Sequence, residues 1–147
     1  MLIGREAIAG MIPHAGAMCL LDGVLTWDAQ RIRCLSGTHR DPHNPLRLDG
    51  QLLALCGIEY AAQAMAIHGN LAGSLEHKPK AGYLASLRDV RCRAALLDEL
   101  SGDLTVEAER LMGEQSHVMY AFRVCIGDVE LLSGRATVVL DASRAKS

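Results

Sequence analysis

The sequence predicts an α+β fold, with one central helix wrapped by a curved antiparallel sheet of six strands. Three observations carry that expectation. The stretch from Leu52 to Gly69, LLALCGIEYAAQAMAIHG, is apolar on every side and rich in alanine and glycine, as in a helix buried all round. Four consecutive extended stretches follow it, joined by short turn-like connections. Finally, the chain has 147 residues, 50% of them hydrophobic and only 3% aromatic, so one aliphatic core is expected in a single domain spanning 1–147.

The elements follow in order. The first dozen residues suggest a short helix ending before Pro13. Met18 to Trp27 is β-rich, with a turn-like Asp22-Gly23 inside it. Arg31 to Thr38 alternates polar and apolar residues, which fits a half-buried strand paired with its predecessor. Pro42, Asn44, Pro45 and Asp49-Gly50 keep His39 to Gly50 irregular. The buried helix comes next, with Gly69 and Asn70 as its expected terminators. A loop from Leu71 to Lys80 leads to extended stretches at Gly82–Ala94, Asp103–Gly113, His117–Ile126 and Val129–Leu140. The small residues Ala54, Gly57, Ala61, Ala62, Ala64 and Ala66 let strands approach the helix backbone closely. A curved sheet around such a helix is the hot-dog arrangement. One thin layer with open edges is expected to pair with a second subunit.

Composition excludes several function classes. The 15 Lys and Arg against 17 Asp and Glu give a net charge of −2, with no basic cluster suited to nucleic acid. Arg5 and Glu6 interrupt the apolar N-terminus, so no signal-peptide core is read there. The central helix is short for a membrane span and contains Glu59, Gln63 and His68. A cytoplasmic protein without membrane contact is expected. The five cysteines, at 19, 34, 56, 92 and 125, show no CxxC pair and are read as reduced, buried hydrophobes. Pro42 separates His39 from His43, so they share no helical face, and no metal site is expected.

Glu59 is the one ionisable carboxylate on the apolar helix. An isolated buried carboxylate is costly, so it is paired, protonated or working. Gln63 lies one turn on and either orients that carboxyl or ties the helix to the sheet. His68 is read as a residue of the helix C-terminus, where the dipole favours a cation. Arg88, Arg91 and Arg93 offer either a basic row for an acidic partner or a solvated strand face.

Several segments resemble the 3-hydroxyacyl-acyl carrier protein dehydratases. Glu59-Tyr60-Ala61-Ala62-Gln63 resembles their E-A-x-A-Q signature, and Pro13-His14 followed by Met18-Cys19-Leu20-Leu21-Asp22 resembles P-H-x5-L-x-D. The stretch Gly82 to Arg93 is similar to the opening of the family's third strand, and Gly102 to Glu107 to that of the next. The nearest resemblance is to the dehydratase-like proteins of aryl-polyene clusters, which share a D-G-x-L segment, here Asp49-Gly50-Gln51-Leu52. One position departs. The family's H-F-P histidine stands fourteen residues before the helix carboxylate, where this chain has Pro45.

The resemblance implies dehydration of a (3R)-hydroxyacyl chain on acyl carrier protein to the trans-2-enoyl form, in fatty-acid-like or polyene biosynthesis, without a cofactor. Such a reaction needs an acid for the departing hydroxyl and a base for the α-proton. A carboxyl on a buried helix can hold and donate a proton, so Glu59 is the expected acid. His14 and His43 are the competing partners: His14 belongs to the matching motif, and His43 precedes Asn44-Pro45 in an imitation of H-F-P. Gln63, Leu53, Ala54, Leu84 and Ala85 are expected to contact the acyl thioester, whose carbonyl a helix N-terminus would polarise. The subunit is expected to form a homodimer or a heterodimer with another hot-dog chain. A non-catalytic partner subunit, an acyl thioesterase of the same fold and a module that merely shelters the acyl chain are the rival readings.

Overall fold

The computed structural model of the chain describes residues 3–12, 18–73, 81–113 and 116–141. In order they form β1 (Ile3–Gly4), α1 (Arg5–Ala9), β2 (Gly23–Trp27), β3 (Arg31–Ser36), α2 (Gly57–Gly73), β4 (Ala81–Cys92), β5 (Leu104–Gly113), β6 (His117–Ile126) and β7 (Val129–Asp141). Short 3₁₀ turns occupy Thr38–Arg40 and Ala54–Cys56. The strands make one antiparallel sheet of order β1-β2-β3-β5-β6-β7-β4. It has seven strands rather than the expected six. The added β1 is two residues long and pairs Ile3 with Val24, too short a segment to show an alternating pattern.

Alternation sets the two faces of the sheet. Ile32 and Cys34 of β3, Val106 and Ala108 of β5, Tyr120, Phe122 and Val124 of β6, and Leu132 and Ala136 of β7 are buried facing α2. The helix answers with Tyr60, Ala61, Ala64, Met65 and Ile67, the i, i+3, i+4 spacing of one buried face. Gly57 starts the helix directly against the sheet: a Cβ there would lie 2.7 Å from Leu132 Cδ2. A side chain there would require Leu132 to move.

Both helix boundaries differ from the sequence expectation. Leu52 and Leu53 are extended instead of helical, because Leu97 N–H donates to the Leu52 carbonyl and Ala54 N–H to that of Ala95, each at 2.9 Å. The 3₁₀ turn then leads into α2, which passes through Gly69 and Asn70 and ends at Gly73. Nor is α2 buried all round: Glu59 and Ala62 are half-buried, and Ala66 and Gly69 are exposed, along one stripe. Cys19, Cys34 and Cys125 are buried as expected, but Cys56 is half-buried and Cys92, at the end of edge strand β4, is exposed.

Candidate functional site

The segment before α2 is irregular in sequence yet held at many points. Asp49 and Gly50 both have positive φ, 52° and 78°, and close a two-residue turn in which Leu48 and Gln51 exchange backbone hydrogen bonds of 2.8 and 3.0 Å. Arg47 gathers the rest. Its guanidinium donates to the carbonyls of His39, Asp41 and Gly50 and to Asp98 Oδ2 at 2.7 Å. Asn44 Nδ2 donates to Tyr60 Oη and to the Thr38 carbonyl, both at 2.9 Å, which fastens the segment to α2. Neither Arg47 nor Asn44 stands out in the sequence, since their partners are distant or belong to the backbone.

Glu59 is the third residue of α2, not its midpoint, so its carboxyl sits in the first turn at the positive end of the helix dipole. It is half-buried on the open stripe of the helix. Around the same end of α2 stand exposed apolar side chains: Leu53 is 42% and Leu55 54% accessible. A half-buried carboxyl near exposed apolar side chains can exchange a proton with a bound molecule. The expected thioester-polarising N–H groups are partly engaged. Those of Ala54, Cys56 and Gly57 bond the carbonyls of Ala95, Leu53 and Ala54.

The remaining candidates separate. His14 lies outside the described residues. His43 is exposed on the pinned segment, its backbone N–H bonded to Asp41 Oδ1 at 2.8 Å, and the hydrogen bonds around it leave that segment little slack. Gln63 is 1% exposed; it accepts from Leu20 N–H at 2.9 Å and donates to the Met18 carbonyl at 2.7 Å. Of its two readings, the structure shows the tether: the side-chain amide is committed to the backbone just after residues 13–17. Ala54 is buried as the first residue of the 3₁₀ turn, while Leu84 and Ala85 are exposed on edge strand β4.

Two buried histidines lie apart from Glu59's stripe. His68 is not a C-terminal cap but an interior residue of α2. Its Nε2–H donates to the Asp28 carbonyl at 2.9 Å, and its Nδ1 accepts from Tyr120 Oη at 2.7 Å. Burial holds its pKa below 6.5, so the ring is neutral where a cation was expected. His39, also fully buried, donates Nε2–H to the Gly102 carbonyl at 2.9 Å, and burial together with Arg40 lowers its pKa. Both histidines connect the core to loops.

Comparison with known proteins agrees with this architecture. A family model described as ApeP dehydratase, of the ApeP-like family, matches residues 6–146. No curated protein matches in sequence. The dehydratase heterocomplex ApeI:P from Xenorhabdus doucetiae contains a chain that superposes with a TM-score of 0.79 at 21% identity, covering 91% of this chain and 90% of that one. Zebra fish thioesterase superfamily member 2 superposes with a TM-score of 0.64 at 12% identity, covering 93% and 95%. A thioesterase-like protein of Shewanella oneidensis gives 0.65 at 12% identity, covering 92% and 93%. These likenesses show a shared fold. The match over nearly the whole length assigns membership: this chain belongs to the ApeP-like dehydratase family and has the hot-dog fold.

Proposed function

We propose that the protein dehydrates (3R)-hydroxyacyl chains carried on acyl carrier protein, giving the trans-2-enoyl thioester, in fatty-acid-like or polyene biosynthesis in the cytoplasm. The observation that carries this reading is Glu59: a half-buried carboxyl in the first turn of α2, close in sequence to the exposed Leu53 and Leu55, in a chain of a dehydratase family. In the reaction a base takes the α-proton, the C–O bond to the β-hydroxyl breaks, and Glu59 gives that oxygen a proton so that it leaves as water. His14 is the proposed base and His43 its competitor. Gln63 acts as a positioning residue by holding the backbone at Met18 and Leu20, just after the His14 segment. No cofactor takes part.

We place the protein in a dimer of hot-dog subunits. Leu84 and Leu87, 39% and 38% accessible, lie on β4, which ends the sheet, and the small-residue stripe of α2 is open. A second reading is supported by two observations: Pro45 stands where the family's histidine is expected, and a similar structure is a dehydratase heterocomplex. On that reading the chain supports a catalytic hot-dog partner. The thioesterase alternative rests on fold alone.

One assay separates the three. Purified protein is given a 3-hydroxyacyl thioester while enoyl absorbance and free thiol are followed. A dehydratase gives enoyl product without thiol, and Glu59→Gln lowers its rate roughly 10²- to 10⁴-fold. Full activity in Glu59→Gln removes Glu59 from the mechanism. Thiol release identifies a thioesterase. A chain inactive alone that restores activity to a co-expressed hot-dog subunit is the supporting partner.

A further inference from the structure

The face of the sheet turned away from α2 carries a trough of about 830 Å³, running across the strands from Trp27 and Asp28 to Asp89 and Arg91. The small residues Ala121 and Ser133 lie on its floor. Register places two charged rows along it. One reads Arg33–Glu107–Arg123–Ser133–Arg91 and the other Arg31–Glu109–Ala121–Arg135–Arg88, of which Arg88, beside Asp89, stands just past the lining. Arg88 and Arg91 are three apart in sequence and would face opposite ways in a regular strand. An irregularity at Asp89, whose φ is 54°, brings both to this face.

The rows are neutralised at one end only. Glu107 is shared by Arg33 and Arg123, and Glu109 pairs with Arg31. At the β7–β4 end Arg135 stands directly opposite Arg88, and no described carboxylate forms an ion pair with Arg88, Arg91 or Arg135. Like charges directly opposed on a sheet are destabilising. With Asp89 counted, the two rows carry six arginines against three carboxylates, although the chain as a whole is at −2. A fold that concentrates positive charge here, at a cost to itself, has a surface arranged for an anionic occupant.

We propose that this trough docks an acidic α-helix of a partner protein. The five strand-to-strand steps from β2 to β4 span roughly 24 Å, about the length of a sixteen-residue helix. The small-residue floor admits a helix backbone closely, and exposed arginine forks grip carboxylates in pairs. An open trough of that length suits an extended occupant better than a single small anion. The surface lies across the sheet from Glu59 and does not depend on its chemistry.

Trp27, the single tryptophan of the chain, lines the far end of the trough from Arg91 and reports its occupancy. The probe is an alanine-based helical peptide of about sixteen residues with glutamates along one face, beside a control peptide with glutamines. The glutamate peptide is expected to bind, to shift Trp27 emission and to weaken as salt rises; the control should do none of these. The Arg88→Glu protein should melt at a higher temperature, because the opposed pair becomes attractive, while peptide affinity falls roughly tenfold or more. Arg135→Gln provides a milder variant with the same two signs. Absence of binding, or unchanged affinity in both variants, overturns the proposal. So does tripolyphosphate binding as tightly as the peptide without moving Trp27, which would make the arginines a small-anion site. Turnover of 3-hydroxyacyl thioester is measured separately, and its failure leaves this result standing.

Discussion

At the residue scale, the sequence singles out the polar side chains of α2 but does not reveal what each one meets. Glu59 stands out because it is the only carboxylate on an apolar helix. Gln63 and His68 have partners 40 to 52 residues away, in Met18, Leu20, Asp28 and Tyr120, and local spacing cannot select among such distant groups. His68 also supplies a test. Its folded pKa is depressed below 6.5, as is that of His39, so the unfolded chain takes up protons before the folded one does. Stability from these neutral rings is complete above pH 6.5 and is lost as pH falls through the depressed folded values. Urea midpoints should therefore drop between pH 7.5 and pH 5.5, and the drop should shrink in His68→Gln. A midpoint whose pH dependence is the same in both proteins would remove His68 as a source.

At the element scale, strands β2 to β7 were legible because alternation and turn residues mark them, and Gly127-Asp128 indeed turns β6 into β7. The helix termini were not. Gly69-Asn70 has the composition of a stop signal, but the apolar residues beyond it continue the helix to Gly73, and the non-local bridge to residues 95–97 holds Leu52 and Leu53 extended. Close packing between elements is equally invisible from spacing alone. Gly134 of β7 faces α2, and a Cβ there would lie 2.9 Å from Phe122 Cζ and 3.2 Å from Val90 Cγ2. An aromatic ring gives way less readily than an aliphatic chain end. Gly134→Ala is thus expected to destabilise by about 1–3 kcal/mol, despite the β-strand's usual preference for a side chain. Chemical denaturation measures it, and a neutral or stabilising result would show that Phe122 has room to turn.

At the scale of the whole molecule, the sheet order among the described residues leaves β4 hydrogen-bonded on one side only, to β7. Unprotected edges of this kind invite pairing, and most soluble proteins blunt them with charge or cover. Here the two faces of the edge differ. Arg88 and Arg91 point away from α2, whereas Leu87, opposite the buried Ala136, lies on the helix side, and Leu84 sits opposite the partly buried Val138. Two exposed leucines on the inner side of a free edge are out of place in a lone subunit, because full burial of a leucine is worth about 1.5–3 kcal/mol. Leu84→Glu with Leu87→Glu should then convert the proposed dimer to a monomer in light scattering, while far-ultraviolet circular dichroism stays native. Dehydration should fall with it, as expected of a site that the second subunit completes. A double variant that remains dimeric would place the subunit contact elsewhere, and one that is monomeric yet fully active would show that a single chain completes the site.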